Sequence, residues 1–452
     1  MLATFFRPAA FAELLPESEA TRLYPRYRIQ MLVSIFVGYA GFYLVRSNFS
    51  FAKPYLIDVL HLTKGQVGLV ASALAASYGL SKFAMGNVSD RSNPRTFMAT
   101  GLILSGLVNI FFGYVHAVWA LALLWFANGW FQGMGWGPCA RIMTHWFSDR
   151  ERGTKMAIWN TAHNVGGALT APLSTLALAA FPATLALTAY SPWSPIFFVP
   201  GFLAIALGIG LLVFLRDTPQ SVGLPPIEEY ANDYPHTGVD DREREMSARE
   251  ILLGYVLNSR ALWILALANL TVYVVRYGVL NWAPTYLPEV KHYMAASSRW
   301  QSFIFEMAGI PGMLISGWIS DRYFSGRRAP ISVIFMLVVT VGVLVYWLNP
   351  PGHPVIDTVS LFTIGFAIYG PVMLIGVAAV DCVPKKAAGT AAGFTGLFGY
   401  IGTVGAELGV GQIVEKWGWN AGFGLIIACT VISSVLLALL WNAHDRSREA
   451  TT

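Results

Sequence analysis

Apolar residues dominate this chain in long runs, separated by short stretches where charges, glycines and prolines gather. Runs of roughly twenty apolar residues are what a helix needs to cross a bilayer. Twelve such runs lie near 32–54, 66–89, 97–115, 117–141, 154–182, 193–215, 261–285, 300–320, 330–348, 358–381, 388–413 and 420–441. The pattern predicts an all-α polytopic membrane protein with twelve transmembrane helices. The longest polar interval, 216–260, contains RDTPQSVGLPPIEEYANDYPHTGVDDREREMSARE and divides the chain into six-helix halves, 1–215 and 261–452. It reads as a solvated cytoplasmic tether between two rigid bodies, with a regulatory site as the alternative.

The composition agrees, with 55% hydrophobic and 12% charged residues and a mean hydropathy of +0.54. Short cytoplasmic loops carry the excess of lysine and arginine. With a cytoplasmic N-terminus, twenty-two of the 30 Lys and Arg residues fall on that side, five (Lys53, Lys64, Lys291, Arg299 and Lys416) lie outside, and Arg46, Lys82 and Arg276 lie within the membrane. Both termini are therefore expected in the cytoplasm, and the net charge of +5 reports topology and gives no reason to invoke nucleic acid. The N-terminal MLATFFRPAAFAELLPESEA is too acidic, with too short an apolar run, for a cleaved signal, so the first helix is expected to target the chain. Cys139, Cys382 and Cys429 lack metal-ligand spacing and read as packing residues, with no disulfide and no metal.

The halves repeat one another. Gly86, Asp90 and Arg91 in one loop are echoed by Gly317, Asp321 and Arg322, and the Gly-Thr of RERGTKMAIWN by that of KKAAGTAAGFT. Arg46 in GYAGFYLVRSNFS and Arg276 in VYVVRYGVLNW stand at nearly the same offset, which marks an internal duplication.

Those two arginines are the chemical centre of the sequence. An unpaired arginine at the bilayer centre costs about 3 to above 10 kcal/mol, so each must face protein or water. Glu306 can serve Arg276 as a permanent partner, while no comparable acid is evident near Arg46. The alternative is an exchangeable anion held by both. Planar guanidinium groups grip a tetrahedral phosphate from opposite sides by paired hydrogen bonds. Lys82 can add positive charge, and Tyr39, Tyr43, Tyr78, Tyr273, Tyr369 and Tyr400 can supply hydroxyls, although tyrosines in membrane helices also serve as interfacial or packing residues. Asn160, His163 and Asn164 recur at helical spacing, and His163 can follow the protonation of phosphate or simply bond between helices. The glycines of FQGMGWGPCAR suggest helix packing or a hinge, since no strand precedes them. No Walker sequence, metal site or nucleophile-base-acid set is present, which leaves enzyme readings poor and implies no cofactor.

The duplicated G-x-x-x-D-R pattern resembles the signature of the major facilitator superfamily, whose Asp and Arg brace helix ends. Over nearly its whole length the chain also resembles the organophosphate:phosphate antiporters of that superfamily, through GYAGFYLVRSNF, YGLSKFAMGNVSDRSNPR, WFQGMGWGPCAR, WNTAHNVGG, RDTPQSVGLPPIEEY, VRYGVLNWAPTYL, IYGPVMLIG and PKKAAGTAAGFTGLFGY. The resemblance implies that Arg46 and Arg276 bind the phosphoryl group and His163 assists. It implies that Lys82, Tyr39, Tyr43, Tyr78, Asn160, Tyr273, Tyr369 and Tyr400 line the pocket, and that Asp90 and Asp321 sit in the bracing motifs. It further implies exchange of a small organophosphate or organophosphonate for inorganic phosphate in a bacterial inner membrane, by a protein functional as a monomer.

Two departures stand out. Ser47 and Asn281 replace an oppositely charged pair typical of the family's glycerol-3-phosphate transporters, which suggests a neutral polar pair in its place. Glu407 appears where a small residue is usual, on the helical face of Tyr400. It is an acid at the periplasmic mouth or paired with a neighbour, or else it receives the ammonium of a zwitterionic substrate such as an aminoalkyl phosphonate. A transporter-like membrane sensor is the alternative from another functional class.

Overall fold

The computed structural model describes residues 5–90, 92–181, 191–232, 251–383 and 388–442. Among them the regular structure is helical, with no strand. In chain order the helices are α1 (Glu17–Leu60), α2 (Lys64–Asp90), α3 (Pro94–Phe112), α4 (Val118–Gln132), α5 (Trp136–Trp146), α6 (Asp149–Asn160), α7 (Ala162–Ala180) and α8 (Pro195–Phe214). A short α9 (Ile227–Ala231) follows, then α10 (Arg260–Leu280), α11 (Ala283–Lys291), α12 (Ala295–Tyr323), α13 (Arg328–Leu348), α14 (Pro354–Asp381), α15 (Ala388–Val404) and α16 (Val410–Ala438).

Eight helical stretches in the described residues are long and apolar enough to cross a membrane. Of the other expected spans, the second is α2, continuous over Lys64–Asp90 though not among those eight. Two are broken helices: α4 and α5 are separated by a turn at Gly133–Gly135, and α6 and α7 by one at Thr161. The last two run together as Thr390–Ala438, turned at Gly418, whose φ of +79° suits glycine.

Two compact units emerge, one of residues 1–49 with 77–243 and the other of 50–76 with 244–452. Residues 50–76, the end of α1 and the beginning of α2, thus pack with the second unit, although the sequence division assigned them to the first half. In the first unit α3 packs on α8 through Gly106 and Gly201, where a side chain on either would strike the other's carbonyl. Close helix approach through small residues is how membrane helices pack without a hydrophobic driving force between them.

The interval after α8 is not a loose tether at its start. Asp217, Leu224 and Ile227 are buried, Arg141 pairs with Asp217 at 3.1 Å, and Tyr24 stacks on Tyr230 at 3.8 Å between ring centres. The N-terminal segment runs alongside, with Ala12 N donating to Gln220 O and Leu15 N to Gly223 O. Apolar residues in this polar-looking stretch find a surface, so 216–232 caps the first unit; residues 233–250 lie outside those described.

Candidate substrate-binding site

Arg46 is placed by a break in its own helix. Val45 leaves helical geometry (φ −96°, ψ 15°), and no proline or glycine causes it. Side-chain amides repair the ladder instead: Asn109 and Asn128 both donate to the Val45 carbonyl, at 2.9 and 2.8 Å, and Gln132 donates to Phe42 O at 3.1 Å. A buried carbonyl must find donors, and here α3 and α4 supply them. These buried amides, in GLVNIFF and ANGWFQ, were not singled out from sequence; polar residues isolated in apolar spans were the available signal.

Tyrosine faces surround the Arg46 guanidinium, with the ring centres of Tyr43 and Tyr78 at 4.7 and 4.8 Å. Tyr39 packs on Tyr43 and on Trp159. The His163 ring lies 5.7 Å from that of Tyr43. Its Nδ1 faces the Asn160 carbonyl at 2.5 Å, and a carbonyl only accepts, so Nδ1 carries the ring proton. α7 comes this close because of Gly166, where a Cβ would stand 2.4 Å from Ala40 O. Lys82, one turn beyond Tyr78, sits with its Nζ 5.6 Å from the Trp136 ring. Gly133 and Gly135 both allow packing, against Ser81 and Phe42, and break the helix.

In the second unit Arg276 is buried, 4% exposed, in an equivalent aromatic setting. The rings of Tyr369, Tyr277 and Tyr273 lie 4.3, 4.8 and 5.9 Å from its guanidinium carbon, and Tyr400 packs on Tyr273. Cation–π attraction of this kind strengthens where water is excluded. Nη2 donates to the Tyr369 hydroxyl at 2.7 Å, and that hydroxyl bonds onward to Glu306. Glu306 thus reaches the arginine through a hydroxyl relay. Close packing sets the relay: a Cβ on Gly312 would lie 1.8 Å from Phe366 O and one on Gly365 2.3 Å from Phe305 O, so α12 and α14 touch backbone to backbone beside Glu306 and Tyr369. The Arg276 Nε is buried with no hydrogen-bond partner.

Glu407 departs furthest from the possibility of a substrate ammonium, because an ammonium from the chain itself is already there. Lys53 Nζ lies 2.6 Å from its carboxylate, Asn281 Nδ2 donates to its other oxygen at 2.5 Å, and the Trp282 ring covers the lysine at 4.0 Å. Lys53 is fully buried, carried on α1, which runs on to Leu60. Lys291 and Arg299 are buried too, Lys291 on the Tyr346 and Asn349 carbonyls and Asp357. Asn281 bonds Glu407, which explains its amide.

At the bracing motifs Asp321 is held by Arg328, whose Nε lies 3.6 Å from Asp381, so the ends of α12 and α14 are tied by Arg328 while Arg322 is exposed. Arg91 and the side chain of Asp90 lie outside what is described. Cys139 and Cys429 are buried, as packing residues are, whereas Cys382 is exposed just past the end of α14.

A helical membrane protein with duplicated arginine half-sites has a known class. Residues 35–407 match the family model of the Major Facilitator Superfamily, and the chain belongs to that superfamily. Within it the chain groups with organophosphate transporters. It is 51% identical to the glycerol-3-phosphate transporter of Bacillus subtilis (strain 168), over 99% of both chains, and 43% identical to a probable hexose phosphate transport protein of Chlamydia pneumoniae, over 98% of both. It is also 40% identical to the membrane sensor protein UhpC of Salmonella typhimurium, over 98% of both. Among solved structures it is similar to a bacterial homologue of the lysosomal transporter Spinster, with a TM-score of 0.73 over 92% of this chain and 95% of that one, at 15% identity, a likeness of fold. The protein is a multi-pass membrane transporter of this superfamily, not an enzyme.

Proposed function

We propose that the protein exchanges a small external organophosphate, of the glycerol 3-phosphate kind, for inorganic phosphate by alternating access. It does so in the bacterial cytoplasmic membrane, as a monomer with both termini in the cytoplasm. The observation that carries this reading is the matched pair of tyrosine-caged arginines at repeat-related positions, one of which keeps a buried Nε without a partner. Arg46 and Arg276 then grip the phosphoryl oxygens of one substrate. His163 assists them, and the tyrosines, Asn160 and Lys82 line the remainder. Two cationic half-sites repel when empty, and bound phosphate screens that repulsion, so reorientation is easy only when loaded; obligate exchange follows. The engagement of Glu407 by Lys53 favours a substrate without an ammonium group.

The test is uptake of radiolabelled glycerol 3-phosphate by proteoliposomes, with and without internal phosphate, in competition with hexose phosphate, phosphoglycerate and 2-aminoethylphosphonate. Uptake that requires internal phosphate supports exchange. Uptake into empty vesicles at the same rate refutes it, and binding without movement of any phosphorylated compound favours a sensor.

A further inference from the structure

In the first unit, the last turn of α8 gathers positive charge that the Arg46 half-site does not use. Arg95, at the start of α3, donates from Nε to Leu212 O at 2.5 Å, and Arg216 donates from Nη1 to Val213 O at 2.6 Å and Leu215 O at 2.9 Å. Two guanidinium groups thus meet on neighbouring carbonyls of one helix end, close enough for their charges to repel. Asp217, next in the chain, is turned to Arg141 and Ala9 N, and among the described residues no carboxylate pairs with either arginine. One cation satisfies a helix C-terminus; a second beside it costs repulsion unless an anion joins the two. Next to the pair, α1 and α8 leave an open groove of about 380 Å³. Val33 and Val37 line it from α1 and Gly210 and Phe214 from α8, each pair one turn apart, and the three side chains are exposed. Gly210 is no packing glycine, since a Cβ there would meet nothing within 4 Å. Gln30 Nε2 closes the end nearest Arg216 by donating to Phe214 O at 2.5 Å, and from Gln30 to Gly38 the groove follows α1 for about 12 Å, at 1.5 Å per residue.

We propose that this groove and its two arginines bind an anionic phospholipid, with an acyl chain along α1 and α8 and the headgroup phosphate across Arg95 and Arg216. Guanidinium groups match phosphate oxygens in pairs, and basic pockets at the ends of membrane helices suit anionic headgroups. The groove adds shape: lipid tails gain nothing from leaving water here, so a chain that stays does so by van der Waals fit, which the missing side chain of Gly210 provides. A headgroup that carries an ammonium would bring a third cation to a place with no carboxylate to receive it, so the site discriminates against zwitterionic lipids. The second unit has the opposite charge balance. There a cavity of about 260 Å³ lies beside Arg328, but Asp321 and Asp381 already neutralise that arginine. The lipid site does not depend on which phosphorylated compound is carried.

The experiment measures binding of radiolabelled phosphatidylglycerol to the full-length protein purified in detergent, by scintillation proximity, with unlabelled lipids and inorganic phosphate as competitors. Phosphatidylglycerol displaces the label, phosphatidylethanolamine does so about tenfold more weakly, and inorganic phosphate at the same concentration leaves it bound. Arg95→Gln with Arg216→Gln lowers the affinity about thirtyfold, at about fivefold per arginine. Arg216→Lys, which keeps the charge and loses the fork, costs about threefold or less. Gly210→Leu keeps both arginines and places a better helix former in open space, so the protein folds, yet binding falls at least about fivefold because the side chain occupies the groove. Parent-like binding by folded Gly210→Leu overturns the proposal, and so does equal displacement by phosphatidylethanolamine. Displacement by inorganic phosphate at the lipid's own concentration would mark a site for free anions and overturns it as well.

Discussion

Tyr369 is the residue whose removal by a single oxygen atom says most about the second half-site. Its hydroxyl is fully buried, takes a hydrogen bond from Arg276 Nη2 at 2.7 Å and gives one to Glu306. Tyr369→Phe keeps the ring over the guanidinium, hence the cation–π contact, and removes both bonds. A hydrogen bond to a charged group contributes about 1.5–3 kcal/mol. Losing the one that orients Arg276 therefore weakens phosphate binding by roughly ten- to a hundredfold, at about 1.4 kcal/mol per tenfold. The loss deepens if Glu306, no longer held by the hydroxyl, swings onto the guanidinium and neutralises it. Glu306→Gln in the Tyr369→Phe background then recovers part of the affinity, because the amide carries no charge to compete with phosphate. The assay is calorimetric phosphate titration of purified protein for the parent, both single variants and the double. Unchanged affinity in Tyr369→Phe, or no recovery in the double variant, refutes the relay.

Three further outcomes follow from the packing and the titrating groups. Gly312→Ala places a methyl 1.8 Å from the Phe366 carbonyl and abolishes folded protein, measured by size-exclusion profile, whereas Gly376→Ala, which meets nothing within 4 Å, leaves it intact. Asn128→Leu strips one donor from the Val45 carbonyl and lowers stability by about 1–3 kcal/mol in chemical denaturation. At the end of α5, burial and the Arg141 charge hold His145 below its ordinary 6.5, so the unfolded chain takes up the proton first. Its contribution to stability is complete above about pH 6.5 and is lost as the pH falls through the depressed folded value. His145→Gln therefore flattens the acid side of the thermal denaturation profile.

The spans, the duplication and both arginines were legible in the sequence because a charge inside an apolar run has no innocent explanation. Lys53 escaped for the complementary reason. It stands near the end of such a run, where lysines ordinarily reach out to water, and its partner lies 354 residues away on a turn whose π-helical geometry leaves no mark in composition. The kink at Val45 was equally silent, since its cause is three amides on other helices rather than a local breaker. The cap formed by 216–232 was hidden by charge: Asp217 looked solvated, yet its carboxylate bonds Arg141 and Ala9 N. In each case the missing information was a long-range hydrogen bond, which hydrophobic periodicity does not encode.

If Arg46 and Arg276 share one phosphate, as we propose, their effects on its binding are coupled, and a binding cycle reads that coupling. Phosphate would be titrated into the parent, Arg46→Lys, Arg276→Lys and the double variant, with stoichiometry and affinity read together. Lysine keeps the charge and forfeits the paired geometry. One phosphate per chain, a large loss in each single variant and a double loss well short of the sum is the predicted result, since residues on one ligand are coupled. Two phosphates per chain, or strictly additive losses, would contradict it.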